Sequence, residues 1–260
     1  MLLRLLTILK PTAIKFAFLL EWIFFLVYKV ASGGLEYGSR LPGALFPLLV
    51  FYLIAGGLSS LAKSKTALAG FRTLVVIGLM LGMLDQGLKA IVYAYLPEGS
   101  FIPILPQVLH LRQAHNLYNS WIMGEFERQF LSRSALVAMS VVFLMVAFAI
   151  YRYYIASHRK SLWTDLALVF ITAGLSSALL DQGVRGFTID FIEIPGVVVA
   201  DLKDLYLWLA SSAVFAEVLD NPAVRLTMGL QESMAAARRF TRYTLQDIHK
   251  VFDRWNGGGS

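Results

Sequence analysis

Four carboxylates, Asp190, Glu193, Asp201 and Asp204, fall within GFTIDFIEIPGVVVADLKD, residues 186–204, directly before the apolar run LYLWLASSAVF. Two carboxylates held a few ångström apart cannot both ionise cheaply. They share a proton, so that one acts as general base on a water while the other acts as general acid. Apolar neighbours such as Phe187, Ile189, Phe191 and Ile192 push the shared proton's pKa towards neutrality. Asp190 and Asp204 are the pair best placed for this. By pattern alone, the same acids also suit a proton pathway or a structural cluster, and Glu193 reads as a solvated rim. Further upstream, Asp85 and Lys89 sit at i, i+4 at the end of an apolar run, where an interfacial ion pair that snorkels is the plain reading. Asp181 ends another apolar run, and Asp204, opening the next, has the simpler role of a helix cap open to it.

The elements that must position these acids are membrane helices. Of the 260 residues, 57% are apolar and 15% charged, and the mean hydropathy is +0.64. That composition describes a chain whose main solvent is lipid. Six apolar segments, at roughly 12–31, 42–62, 67–84, 134–151, 163–181 and 205–219, approach the length of about 20 residues needed to span hydrocarbon. Lys15 and Glu21 make the first the weakest, and the last is short. A β-barrel would need alternation at period two, which these uniform runs lack. The first segment has no small-residue cleavage site after it and is expected to be retained. The expected class is an all-α polytopic membrane protein with six transmembrane helices.

Most of the 23 Lys and Arg fall on one side if the N-terminus is cytoplasmic. Both termini are then inside, and segments 85–133 and 182–204 face outward. Anionic headgroups account for the net charge of +6, with no nucleic acid required. The chain has no Cys, and its four His are scattered with no pair at i, i+4. No metal or other cofactor is expected. Residues 221–256 form a basic tail in which 223–255 carry apolar positions, among them Leu226, Leu230, Met234 and Ile248, at helical spacing. An amphipathic helix on the cytoplasmic surface or against a partner is the reading, with a solvated basic tail equally open. The closing Gly257-Gly258-Gly259-Ser260 reads as an appended linker.

These residues carry a resemblance to the bacterial lipoprotein signal peptidases, the signal peptidase II family. Its D-x-x-x-K block meets DQGLK, with Asp85 and Lys89 in place. Its R-N-x-G-A-A-F block meets HNLYNSW, where Asn116 matches and Trp121 stands for the Phe. The third block, G-N-x-x-D-R-x-x-x-G-x-V-x-D-F, meets SALLDQGVRGFTIDF, aligning Asp181, Gly186, Asp190 and Phe191, and the last, F-N-x-A-D, meets ADLKD and ends on Asp204. The resemblance implies a four-helix core over 67–220, two additional spans over 1–66, and a small periplasmic β-cradle. It further implies an aspartic endopeptidase that cleaves the signal peptide of a lipid-modified prolipoprotein in the bacterial inner membrane. Asp190 and Asp204 would be catalytic, with Asp85, Lys89, Asn116, Asp181 and Asp201 supporting the site or the substrate.

The departures are Ala178 and Gln182 for Asn and Arg around Asp181, Tyr118 for a Gly, and Asp201 for an Asn. The lost Arg is a lost cation with five donors. Tyr118 puts bulk where Gly permits close approach. Asp201 adds a like charge near Asp204, to be compensated by Arg185 or Lys203. Two functions follow: the peptidase, or a catalytically silent relative acting as a scaffold that binds partner subunits of a membrane complex. A proton carrier is disfavoured because paired broken-helix repeats are absent.

Overall fold

The computed structural model describes residues 9–34, 41–117, 132–224 and 230–257, except the side chains of 223, 230–233 and 251–257. Tyr118, Trp121 and Leu226 lie outside the described residues. The helices are α1 (Ala13–Ala31), α2 (Leu41–Ser64), α3 (Phe71–Tyr95), α4 (Arg133–Ser157), α5 (Leu162–Leu180), α6 (Leu202–Asp220) and α7 (Leu230–Gly257). Among the described residues, four are long and apolar enough to cross a membrane: α2, α3, α4, and α5 together with its extension to Arg185. The segments expected as first and sixth spans are also helices, of 19 residues each. Each carries three charges within an 18-residue stretch, namely Lys15, Glu21 and Lys29 in α1 and Lys203, Asp204 and Glu217 in α6.

Four short strands, β1 (Phe101–Leu105), β2 (Leu109–Asn116), β3 (Thr188–Ile194) and β4 (Val198–Ala200), form one antiparallel sheet in the order β1-β2-β3-β4. The strand pair after α3 thus joins the strand pair linking α5 to α6. The two segments expected on one side of the membrane meet in a single sheet.

Helix α5 is the hub and packs on α3, α4 and α6. Its start is fixed by a capping box between Ser161 and Thr164. Its approach to α3 depends on Gly78 and Gly82, a small-xxx-small pair. A Cβ on Gly78 would lie 2.7 Å from both Thr172 Cβ and the Val169 carbonyl, and one on Gly82 would lie 3.1 Å from the Ala173 carbonyl. That glycine face continues into Gln86 and Lys89, so close backbone packing brings the polar end of α3 against α5. The third span, expected to end at residue 84, instead runs to Tyr95. Asp85 and Lys89 are therefore inside a helix and fully buried, not an interfacial snorkelling pair. The run continues because Leu88, Val92 and Leu96 keep the helical spacing and pack with Ile189 and Phe191 of the sheet.

Helices α1 and α2 share one core with the rest of the bundle, in which Phe18, Trp22, Phe25 and Phe51 join Leu162, Trp163, Leu209 and Ala213. Glu21 of α1 accepts a hydrogen bond from Ser211 of α6. The amphipathic tail helix α7 meets α4: Arg152 pairs with Asp247 at 2.6 Å, Tyr243 donates to the Arg152 carbonyl, and Tyr153 rests on Phe240 and Tyr243.

Candidate active site

The acids occupy two tiers where the sheet meets the helix ends. In the first tier the Lys89 ammonium lies 2.7 Å from Asp85, 2.7 Å from Asp181 and 2.6 Å from Asp201, all four side chains being wholly buried. One turn of α3 supplies Asp85 and Lys89, and the end of α5 supplies Asp181. The remaining lone pairs are filled locally. Ser177 donates to Asp85, Gln86 donates to Asp181 at 2.9 Å, and the Leu202 amide donates to Asp85 Oδ1 at 3.1 Å. That last bond satisfies an amide at the start of α6, which would otherwise be orphaned.

Beyond Asp181 the chain forms a π-helical turn, Asp181–Arg185, closed by Gly186 at φ 82°. A side chain at that left-handed position would be strained, and it would also approach Arg133. The wide turn lets Arg185 reach back to Asp181 at 3.2 Å and to Gln86 at 2.5 Å. Arg133 takes the freed carbonyls of Gln182 and Gly183 at 2.5 and 2.8 Å. The cation expected to be lost at position 182 is thus supplied by Arg185, and Gln182 is buried with its side-chain amide nitrogen unpartnered among the described residues.

The second tier holds Asp190 on β3 and Asp204 in the first turn of α6. Carboxylate oxygens of Asp190, Asp201 and Asp204 lie within 4.8 Å of one another. Asn116, reaching from the end of β2, donates to Asp190 Oδ2 at 2.9 Å. Asp190 Oδ1 is buried with no hydrogen-bond partner among the described residues.

Asp201 joins the tiers. Its Oδ1 caps α6 by accepting from the Asp204 amide at 2.9 Å, so Asp201, and not Asp204, is the helix cap. Its Oδ2 faces Lys89 at 2.6 Å and Lys203 at 3.5 Å, and Lys203 also stands 3.7 Å from Asp204. Of the two compensators expected for Asp201, Lys203 serves and Arg185 does not; Lys89 takes its place. Among the described residues, two carboxylate triads, Asp85/Asp181/Asp201 and Asp190/Asp201/Asp204, have the spacing to hold a cation, and in each a lysine ammonium supplies positive charge.

Electrostatics separates the acids. Burial, reinforced by the charge of Asp201, pushes Asp190 well above the usual carboxylate range, against the pull of Lys203 and the Asn116 hydrogen bond. Burial also opposes ionisation of Asp201, but Lys203 and Lys89 outweigh it and hold that carboxyl below its ordinary value. Glu193, expected at a solvated rim, is buried. It pairs across the strands with Arg112 at 2.6 Å and His110 at 3.2 Å.

The site therefore gathers every candidate singled out from the sequence: Asp85, Lys89, Asn116, Asp181, Asp190, Asp201 and Asp204. It adds Ser177 and Gln86, beside the Lys203 expected to compensate Asp201. The Gly78-xxx-Gly82 spacing, which marks the α3 face packed on α5, would have signalled both.

A sequence profile described as Signal peptidase (SPase) II matches residues 76–219, more than half of the chain. The chain is 24% identical over 111 residues to the lipoprotein signal peptidase of Brevibacillus brevis, across 42% of this chain and 68% of that one. Its fold is similar to that of a bacterial membrane enzyme solved by the in meso method at 2.3 Å, with a TM-score of 0.51 and 16% identity over 64% of this chain and 99% of the other.

Proposed function

From the premise that the chain belongs to the signal peptidase II family, we propose that it is an aspartic endopeptidase that removes signal peptides from lipid-modified precursor proteins. The observation that carries this reading is the convergence of Asp190 and Asp204, with one Asp190 oxygen held by Asn116 and the other without a hydrogen-bond partner among the described residues. A buried oxygen left without a hydrogen bond costs free energy. A hydrolase needs it for a proton and a substrate atom.

Asp190 carries the shared proton, because it is buried and faces Asp201 and Asp204. Asp204, which Lys203 faces at 3.7 Å, acts as the base and takes a proton from water as the water oxygen attacks the scissile carbonyl. Asp190 gives its proton to the carbonyl oxygen. The intermediate collapses as the proton on Asp204 passes to the leaving amine and Asp190 recovers its own. Asn116 orients Asp190, while Asp85, Lys89, Asp181 and Asp201 fix the start of α6 and thus Asp204.

In this reading, residues 67–220 are the peptidase core and 1–66 a two-helix extension. Residues 221–256 are a cytoplasmic tail. The chain crosses the bacterial inner membrane six times with both termini inside and the sheet at the outer face. Lipid and the lipid-modified precursor are its partners.

The test is cleavage of a lipid-modified precursor peptide by the purified protein in liposomes, alongside its Asp190→Asn and Asp204→Asn variants. Cleavage lost in both variants is the expected result. Inactivity of the wild type, or full activity of either variant, refutes the reading.

A further inference from the structure

The carboxylate tiers stand where α5 ends and α6 begins, so the start of α5 and the end of α6 lie at the opposite end of the bundle. About 27 Å of helix separates Trp163 from Asp181. At that far end a cavity of about 310 Å³ lies between the start of α1, the end of α2 and the start of α5, with Lys15, Ser59, Lys63, Trp163 and Asp220 on its wall. Trp163 and Asp220 also border a neighbouring cavity of about 280 Å³, to which Lys65, Arg159 and Lys160 contribute. Lys15 is wholly buried, and its Nζ donates to the Lys10 carbonyl at 2.5 Å and lies 5.2 Å from the centre of the Tyr52 ring. Among the described residues, no carboxylate pairs with Lys63, Lys65 or Arg159. Lys160 is held by Asp165 at 3.2 Å, and Glu217, on the wall of the second cavity, is taken by Tyr154, Ser161 and Asn221. That leaves Asp220 as one carboxylate among several cations.

A basic rim alone is what many membrane helix ends carry. Two buried donors set this one apart. Trp163 Nε1 and Ser59 Oγ line the first cavity and have no hydrogen-bond partner among the described residues, and Trp163 is only 1% exposed. A buried donor without an acceptor is costly, and an acceptor in the cavity removes that cost. Because α5 starts here, the first-turn amides of Leu162 and Trp163 have no intrahelical acceptor, and their dipole favours an anion. From Gly56 to Lys63 the wall follows α2 for about 10 Å, which exceeds the roughly 5–7 Å depth of one headgroup layer. We propose that the cavity between α1, α2 and α5 binds the phosphate of an anionic phospholipid in the leaflet opposite the carboxylate site. Lys15 and Lys63 supply the charge, and Trp163 and Ser59 donate to the phosphate oxygens. Asp220 accepts a headgroup hydroxyl, so a glycerol headgroup suits the site. The inference stands apart from the peptidase reading and gives the N-terminal helices a lipid to hold.

The test delipidates the full-length protein in detergent and adds back phosphatidylglycerol, phosphatidylcholine or inorganic phosphate, reading bound lipid by native mass spectrometry and stabilisation by thermal melts. Phosphatidylglycerol is expected to bind at least about tenfold more tightly than phosphatidylcholine. Trp163→Phe keeps the ring that packs on Phe18 and removes its N–H. Trp163→Phe and Lys63→Gln are each expected to weaken phosphatidylglycerol binding by about fivefold or more, whereas Lys29→Gln, at the other end of α1, is expected to leave it unchanged. Equal binding of the two lipids, or binding unaltered in both Trp163→Phe and Lys63→Gln, overturns the site. Inorganic phosphate that stabilises as strongly as the lipid and displaces it overturns the lipid in favour of a free anion. A second measurement needs no substitution: wild type is irradiated with phosphatidylglycerol carrying a photoreactive headgroup, and the adducts are mapped. Adducts at the start of α1, the end of α2 or the start of α5 support the site, and adducts confined to other segments overturn it.

Discussion

Lys89 and Asp201 form a wholly buried ion pair at 2.6 Å that ties the C-terminal part of α3 to the N-cap of α6. Two further carboxylates reach the same ammonium, so this one cation fixes the relative positions of α3, α5 and α6. Deleting one member of a buried ionic cluster leaves its partners uncompensated, which costs about 3–5 kcal/mol, whereas deleting a surface pair costs little. Lys89→Met is therefore expected to lower the thermal unfolding midpoint in detergent substantially. Arg152→Met, which removes the partly exposed pair with Asp247, is expected to lower it by far less.

Asp201 raises the proton affinity of Asp190, so removing its charge must move the pH profile. Asp201→Asn retains an N-cap side chain for α6 and a neutral partner for the lysines. A carboxyl whose pKa is raised keeps its proton to higher pH, and activity on the alkaline side ends when that proton is lost. With the Asp201 charge gone, the Asp190 pKa falls, and the alkaline limb of kcat/KM is expected to shift to lower pH by about one unit. A profile with an unmoved alkaline limb would show that Asp201 does not act on the pair.

Asn116 donates a hydrogen bond to Asp190 at 2.9 Å. The bond favours the ionised carboxylate and fixes its plane. Asn116→Ala is expected to reduce kcat by about 10- to 100-fold, in the range for a lost orienting partner, with unfolding shifted by no more than a few degrees. The contrast between a large loss in turnover and a small one in stability, read from single-turnover assays and thermal melts, identifies a positioning role.

Much of this site could be read from residue types and order. The acids that converge were recognisable because an apolar chain at membrane depth keeps few charges, and Asn116, Asp190 and Asp204 lie in blocks of recognisable order. The misread residues have distant partners. Glu193 looked solvated because its partners come from β2, and only the cross-strand register that sets His110 opposite Glu193 brings them near. Arg185 looked free to serve Asp201 because a π-helical turn, invisible in hydropathy, turns it back onto Asp181. Asp85 and Lys89 looked interfacial because apolarity fades at residue 84, although the helix continues and the sheet covers it.

Gly78 tests whether that close packing positions the first tier. A methyl group there would lie 2.7 Å from the Val169 carbonyl, a backbone atom that cannot swing aside. Overpacking of this kind costs about 1–3 kcal/mol. Gly78→Ala is expected to separate α3 from α5, lowering both the melting temperature and kcat, while Gly87→Ala on the same helix, whose Cβ meets nothing within 4 Å, is expected to be neutral or slightly stabilising.

Asp201 and Lys203 occupy the places of Asn and Ala in the family's last block, F-N-x-A-D, and they lie 3.5 Å apart. Each alone would unbalance a buried site: the acid by adding a negative charge beside Asp190 and Asp204, the lysine by adding a cation that drains proton affinity from the pair. Together they cancel, so the two departures form one charge-neutral exchange. Lys203→Ala leaves Asp201 and Asp204 without their shared cation and is expected to cut kcat/KM by at least about 100-fold, the scale of 2–3 kcal/mol. Asp201→Asn alone is expected to cost less, since Asn keeps the cap. The double variant is expected to recover to within about tenfold of wild type, a coupling of the size measured for contacting charges. Measured as a full kinetic cycle at several pH values, additivity of the two losses would show that the pair does not act as a unit. Recovery in the double variant would show that each substitution is tolerated only because the other is present.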